Sequence, residues 1–426
     1  MSVKKVGLIL MAFAATLLLS TSLAFAQKYE VLTGTTFGTN PTGGLVADAA
    51  GNLYGTTQAG GSGEGSVFEL SPPATLGGAW TETTLYSFGA HTPDANVPMS
   101  TLVFDKQGNL YGTTGASTDG YGAVFELSPP TSPGGAWTET VLYDFPIDGS
   151  HGGQPEGKLL FDAAGNLYGT TGYGGTGHSC ATYNTYGCGT IFRLSPPSSP
   201  GGAWKQTVLF NFGNSKSDGA HPGGALTLHN GVFYGTTVYG GATDNGTVFQ
   251  LAAQNGHWVE TRLHDFSGAD GAFPASTLIR DLAGNLYGTT SGGGTPKCSG
   301  TLGCGTVFEL SPPLVSGDPW QETILHTFAG GSDGGASYAA LIMDKAGNLY
   351  GTGSAGGFKN NGVVFKLKAP ASPGGAYTNV ILHVFDPPAG DGGNPYGELI
   401  RFDGRLYGTT WAGGAGHFGT VFSVLP

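Results

Sequence analysis

Apolar and polar residues alternate along this chain in short bursts, and the same order of bursts returns seven times. Residues 100 to 145 show one full period. Thr101-Leu102-Val103-Phe104 is a β-branched and aromatic run, strand A, followed by the turn Asp105-Lys106-Gln107-Gly108-Asn109. Leu110-Tyr111-Gly112-Thr113-Thr114 is strand B. A glycine-rich loop leads to strand C, Ala123-Val124-Phe125-Glu126-Leu127, which stops at Ser128-Pro129-Pro130 because proline has no amide to give the ladder. Gly134-Gly135-Ala136 then opens the alternating strand D, Trp137 to Phe145. Nothing in the period has helical spacing. The most constant part is Gly-Asn-Leu-Tyr-Gly-Thr-Thr, at Gly51–Thr57, Gly108–Thr114, Gly165–Thr171 and Gly284–Thr290. Worn copies stand at Gly231–Thr237, Gly347–Gly353 and Gly404–Thr410.

Four strands in about 57 residues make one antiparallel sheet, and seven such sheets predict an all-β, seven-bladed propeller. Spacings from Tyr54 to Tyr407 run 57, 57, 66, 53, 63 and 57. A β-solenoid is the rival, but its coils are usually shorter and its ends carry caps that this pattern lacks. Strands A and C each occur seven times, whereas the full D strand occurs six times, led by Trp80, Trp137, Trp204, Trp258, Trp320 and Tyr377. Lys28-Tyr29-Glu30-Val31-Leu32 stands before the first A without a blade of its own. It is expected to complete the last blade and so remove the open sheet edges.

Composition adds an address. Lys4 and Lys5, the apolar stretch Val6 to Leu19 and the small-x-small site Ala24-Phe25-Ala26 read as a signal peptide over residues 1–26, with the propeller over 27–426. The expected location is therefore outside the cytoplasm, extracellular or periplasmic. A membrane anchor is the weaker alternative, since the run is short for a span. Charge is sparse, with 29 acids against 17 bases, and losing Lys4 and Lys5 takes the balance from −12 to −14. No basic stripe is present to displace counterions, which argues against a nucleic-acid partner. A monomer without a membrane span is expected.

The Leu-Tyr-Gly-Thr-Thr … Gly-Gly … Val-Phe-x-Leu pattern resembles the choice-of-anchor tandem-repeat family called GloVer, over essentially the whole chain after residue 26. The resemblance implies a repeat architecture and no activity. Relatives often end in a sorting anchor, whereas this chain ends within its last blade. The Asp-x-x-Gly-Asn-Leu-Tyr turn is also similar to that of NHL-type propellers, an analogy of fold only.

Strand direction places the D-to-A and B-to-C loops on one face. That face holds nearly all the length variation, and variable loops on a rigid scaffold commonly carry function. Cys180 and Cys188 lie in the third B-to-C loop, and Cys298 and Cys304 in the fifth, so two local disulfides are expected; zinc, with His178 nearby, is the alternative. The D-to-A loops repeat Asp-Gly at Asp148, Asp218, Asp270, Asp333 and Asp391, with Asp94 as a worn copy. These aspartates read first as turn residues. A ring of carboxylates at the central channel mouth is the sharper reading, and calcium the one ion it suggests; no cofactor is otherwise expected. His91, His151 and His221 share these loops, and Trp411 is expected to be an exposed stacking ring. These residues form the candidate ligand rim. His264, His326 and His383 occupy the D-strand slot that holds Tyr86, Tyr143 and Phe210 elsewhere and read as packing substitutes. The Trp row reads as packing between blades.

Gly-Gly-Ala-Trp stands where sialidase blades carry an Asp-box, but the Asp is absent from most copies and there is no evident arginine triad. No nucleophile elbow, phosphate loop or His-Glu-x-x-His occurs. The inventory favours a non-catalytic binding or scaffold module, with a glycan or another extracellular ligand as partner. The alternative is a glycan-active hydrolase or lyase using Asp and His at the channel mouth.

Overall fold

Each residue of the repeated stretch has its own task. In the first copy Asp48 Oδ1 accepts the backbone N–H groups of Ala50 and Asn52, both at 2.9 Å, while Oδ2 accepts Asn52 Nδ2 at 2.8 Å and the Tyr54 hydroxyl at 3.1 Å. Gly51 takes the positive φ of 89° that the turn requires. Leu53 is fully buried. A Cβ on Gly55 would stand 2.6 Å from the Phe68 ring, so glycine lets strands B and C close over that ring. The Asp–Asn–Tyr arrangement recurs at Asp105, Asp162, Asp281 and Asp344. Two copies lacking it turn instead at Asn230-Gly231 and Asp403-Gly404, with φ of 50° and 76°, and 44° and 75°. Positive φ at both central positions is the two-residue hairpin solution for a twisted ladder.

The computed structural model describes residues 29–426 apart from 35–37, 62, 76–77, 90–93, 118–119, 133, 181–185, 200, 216–217, 295–302, 316 and 373. The proposed signal peptide and cleavage site lie outside the described residues. No helix among the described residues is long and apolar enough to cross a membrane; helical structure there is limited to single 3-10 turns such as Gly331–Asp333.

Seven antiparallel sheets form the blades of a propeller, each running A, B, C, D. In the first they are Val46–Ala47, Leu53–Thr57, Ser66–Ser71 and Thr81–Ser87. The last blade closes as its residues predict: Tyr29–Gly34 pairs with Thr420–Val424, Tyr29 opposite Val424 and Gly34 opposite Thr420. Its remaining strands are Arg405–Thr410 and Ile400–Phe402. A ladder irregularity recurs at the same place in strand D of every blade: Leu85 is the extra residue opposite Val67 and Phe68 of strand C, and Leu263 the one opposite Val248 and Phe249. Such a bulge re-aims the side chains beyond it.

The core lies between the blades. One cluster joins Leu45, Leu53, Phe68 and Leu70 of the first blade to Tyr407 and Val421 of the last, and similar clusters fill the other six interfaces. The Phe that follows strand D meets the strand C Phe of the next blade edge-on, as in Phe88–Phe125 at 5.1 Å and Phe385–Phe422 at 5.2 Å. Trp80 packs on Tyr407 and Trp320 on Tyr234, so the Trp row does pack between blades. The two threonines of the motif divide their work. The second bonds within its blade, as Thr237 does with Thr247 at 2.8 Å. The first reaches the next blade: Thr56 donates to Ser100 O at 3.3 Å, Thr236 to Ser276 O at 3.2 Å, and Thr409 to Gly43 O at 2.9 Å across the seam.

Candidate functional site

The variable loops are not loose. In every blade the incoming D-to-A segment pairs antiparallel with the outgoing B-to-C segment. The pairs are Thr39 with Ala59, Ala95–Pro98 with the end of Leu110–Ser117, Gly153 with Tyr173, Gly219–Ala220 with Tyr239–Gly240, Ala272 with Gly292, Gly335 with Ala355, and Gly392–Gly393 with Ala412–Gly413. This lap explains the Gly-Gly of the repeat: a Cβ on Gly240 would overlap the Asp218 carbonyl, and one on Gly413 the Asp391 carbonyl. Both have positive φ, 85° and 86°. The long third loop is further fixed by the expected Cys180–Cys188 disulfide, with 5.7 Å between Cα atoms, which rules out zinc on that pair. Cys304 is also disulfide-bonded; Cys298 lies outside the described residues.

The loop aspartates meet the outer strands. None of the five is among the residues lining the channel mouth. Three receive the histidines read as packing substitutes: His264 Nε2 lies 3.1 Å from Asp270 Oδ2, His326 Nε2 3.1 Å from Asp333 Oδ2, and His383 Nε2 2.8 Å from Asp391 Oδ2. Their slot is equivalent to that of Tyr86 and Phe210, opposite the second residue of strand C. The bulge turns it towards the next blade, which brings a third polar group from its own strand D. Asn379 donates to Asp333 at 2.8 Å, Glu322 stands 3.5 Å from His264, and Tyr29 donates to Asp391. In the first interface Tyr86 donates to both Asp94, at 3.4 Å, and Glu139, at 3.2 Å. We call these arrangements interblade clasps. The aspartates and the histidines were each visible in sequence, as turn or rim residues and as packing substitutes; their pairing was not, and neither was the third member, which belongs to the following blade.

Burial governs the clasp electrostatics. Glu139 is pushed up to about 7 by burial and by Asp94, Glu260 to about 7 by burial and Asp218, and Glu322 to about 8 by burial and Asp270. Asp218 is itself raised by burial. Burial also pushes Asp391 up, but hydrogen bonds from His383 and Tyr29 outweigh it and hold the carboxyl below its ordinary range. Asp148 departs from the pattern. It is exposed, held low by the backbone N–H and hydroxyl of Ser150 at 2.9 and 2.7 Å, and its clasp position is served by Gln206 donating to His151 O at 3.1 Å.

The channel mouth is built from the residues just before each strand A, including Glu156, Lys158, Tyr338, Tyr396 and Glu398. Lys158 of the third blade reaches Glu398 of the seventh at 3.1 Å, an ion pair across the opening. Glu156, raised by burial, faces His221 Nε2 at 3.9 Å. Burial lowers His221, so both groups favour their neutral forms. Tyr173 meets the His221 ring edge-on at 4.9 Å. His151 is exposed against Ser150, and His91 lies outside the described residues.

Between the second and third blades the loops enclose a cleft of about 290 Å³ lined by Tyr121, Tyr173, Tyr186 and Gln154 with three glycines. Tyr186 is 62% exposed and lies 5.8 Å from Tyr121, ring to ring. Tyr173 and Tyr186 belong to the long third B-to-C loop, whereas Tyr121 sits at the start of strand C of the second blade, Gly120–Ser128; sequence reasoning missed them because they come together only across two blades. Trp411 is 40% exposed on the same face, its carbonyl accepting Asn40 Nδ2 at 3.0 Å.

The sequence model of the Gloeobacter/Verrucomicrobia repeat matches residues 19–183 and 298–426. The chain belongs to that family. No curated protein matches it. Among solved structures, the polysaccharide lyase Uly1 is similar over 95% of this chain and 94% of its own, at 11% identity and a TM-score of 0.48. A candidate 6-phosphogluconolactonase from Bacteroides uniformis is similar over 84% and 88%, at 15% identity and a TM-score of 0.49.

Proposed function

We propose that this Gloeobacter/Verrucomicrobia repeat protein is a secreted, non-catalytic binding propeller that holds a sugar chain in the tyrosine cleft of its loop face. The observation that carries the reading is the convergence of Tyr121, Tyr173 and Tyr186 from two blades on one cavity, with the Gln154 carboxamide beside them. Sugar rings offer an apolar face and a polar edge, and flat amphipathic side chains with a few polar groups match that chemistry. The aspartates first read as a rim support it indirectly, since Asp333 and Asp391 are engaged in holding blades together.

A glycan-array screen followed by calorimetry on the hits tests this. Tyr186→Ala and Tyr121→Ala should each weaken binding by about 1–2 kcal/mol, the scale of a lost stacking ring. Trp411→Ala reports whether the chain extends across the face. Charge substitutions at Ser128 and Ser195, on the opposite face, should change nothing; if they alone mattered, the binding face would be the other one.

Glycan cleavage is the alternative, and the Glu156–His221 pair beside the cleft is what favours it. An imidazole and a carboxyl that burial shifts towards each other's range make a usable acid–base couple. Product released from a bound glycan by the wild type, and lost in His221→Ala, would replace the binding reading with the enzymatic one.

A further inference from the structure

The clasp between the fourth and fifth blades has a composition no other described clasp shares. Its three positions hold His264, Asp270 and Glu322, all groups that ligate metal ions. Elsewhere one member is Tyr86, Gln206, Phe210, Asn379 or Tyr29. Among the described residues it is the one cluster of three His, Cys, Asp or Glu donors whose ligand atoms all lie within 4.8 Å of one another.

One distance matches a coordination edge and the other falls just short of it. A tetrahedral ion with bonds of about 2.0–2.2 Å places its ligand atoms about 3.3–3.6 Å apart. His264 Nε2 stands 3.1 Å from Asp270 Oδ2 and 3.5 Å from Glu322 Oε2. The ligands are also oriented from behind. Asp270 Oδ1 accepts the backbone N–H and hydroxyl of Ser267 at 2.8 and 3.0 Å, which turns Oδ2 towards the histidine. The Phe266 ring meets the imidazole edge-on at 4.8 Å. Such outer support is what a metal ligand set needs to keep its geometry. Glu322 contributes a second observation: its Oε1 is enclosed and has no hydrogen-bond partner, so the side chain carries an unused acceptor beside the other two donors.

We propose that His264, Asp270 and Glu322 form a binding site for a divalent transition ion, zinc in the first instance, which ties the loop after the fourth blade to the outer strand of the fifth. One imidazole and two carboxylates suit zinc better than calcium, which favours six or more oxygen ligands. Solvent supplies the remaining corner. Binding requires His264 with Nε2 unprotonated and both carboxylates ionised. The site stands apart from the tyrosine cleft and does not depend on what that cleft holds.

The repeat itself supplies the variants for a test. Phenylalanine fills the His264 slot at Phe210, and glutamine fills the Glu322 position at Gln206, so His264→Phe and Glu322→Gln each install a residue the fold already carries there. Untagged protein would be titrated with zinc chloride by calorimetry and its metal content measured by mass spectrometry after dialysis, with thermal unfolding as a fold control. The expected result is one zinc per chain, a higher unfolding temperature with zinc, and binding weakened at least tenfold in both variants. His326→Phe, at the next clasp, should leave binding unchanged. No stoichiometric zinc, or zinc retained in both variants or lost equally in His326→Phe, would overturn the assignment.

Discussion

At the scale of the residue, one hydroxyl in the repeat has lost its task. The first threonine of the motif donates to the neighbouring blade at most interfaces, yet Thr113 Oγ1, equally buried, has no partner. A buried hydroxyl without a hydrogen bond costs stability, whereas a satisfied one contributes about 1 kcal/mol net. Thr236→Val should therefore lower unfolding stability by about 1 kcal/mol in a urea titration. Thr113→Val should be neutral or slightly stabilising. Equal losses would mean that the interblade bond is not what the first threonine provides. The motif was legible in sequence as a repeat, and so were its turn and its buried leucine. Its use as an interblade tie was not, because the acceptor is a backbone carbonyl, which leaves no residue type to recognise.

At the scale of the element, the clasps make strand D the joint between blades and give that joint a pH dependence. Glu139 faces Asp94 and Tyr86; burial sets its folded value at about 7 against an ordinary 4.5. A carboxyl raised in the folded state contributes stability that is complete below its unfolded value and is lost as pH rises through the folded one. Glu260 acts in the same direction, raised first by burial and then by Asp218 and Asp265 against Arg262. Asp162, Asp344 and Asp391 are held low and keep their contribution across this window. The unfolding temperature should therefore fall from pH 5 to pH 8, and Glu139→Gln should shallow that fall. Parallel curves for the two proteins would show that Glu139 has no part in it. The strand order and the D-strand slot could be read from the alternation of residues, and the equivalence of His264 with Tyr86 was correct as far as it went. The bulge changes what the slot means, and a one-residue slip in a ladder has no signature in composition.

At the scale of the whole molecule, blade number, chain order and ring closure were all legible, since strands A and C recur seven times and the full D strand only six. The Lys158–Glu398 pair was not. It joins residues of blades that are neither adjacent in sequence nor packed side by side, and only the closed ring brings them together. Closure itself is open to test. Deleting residues 27–32 removes most of Tyr29–Gly34 and bares the edge of Thr420–Val424. The shortened protein should melt at lower temperature or aggregate, as unpaired edges do. A monomer as stable as the parent would show that the last blade holds without its fourth strand.

The same seam acts as a check on length. Its two strands are among the first and the last parts of the propeller that a ribosome makes, so Tyr29 has nothing to pair with until Val424 has been added. A chain interrupted anywhere between them keeps a dangling first strand and an unfinished last sheet, both open to proteases and to other nascent chains. Only when both strands have been made is that sheet complete.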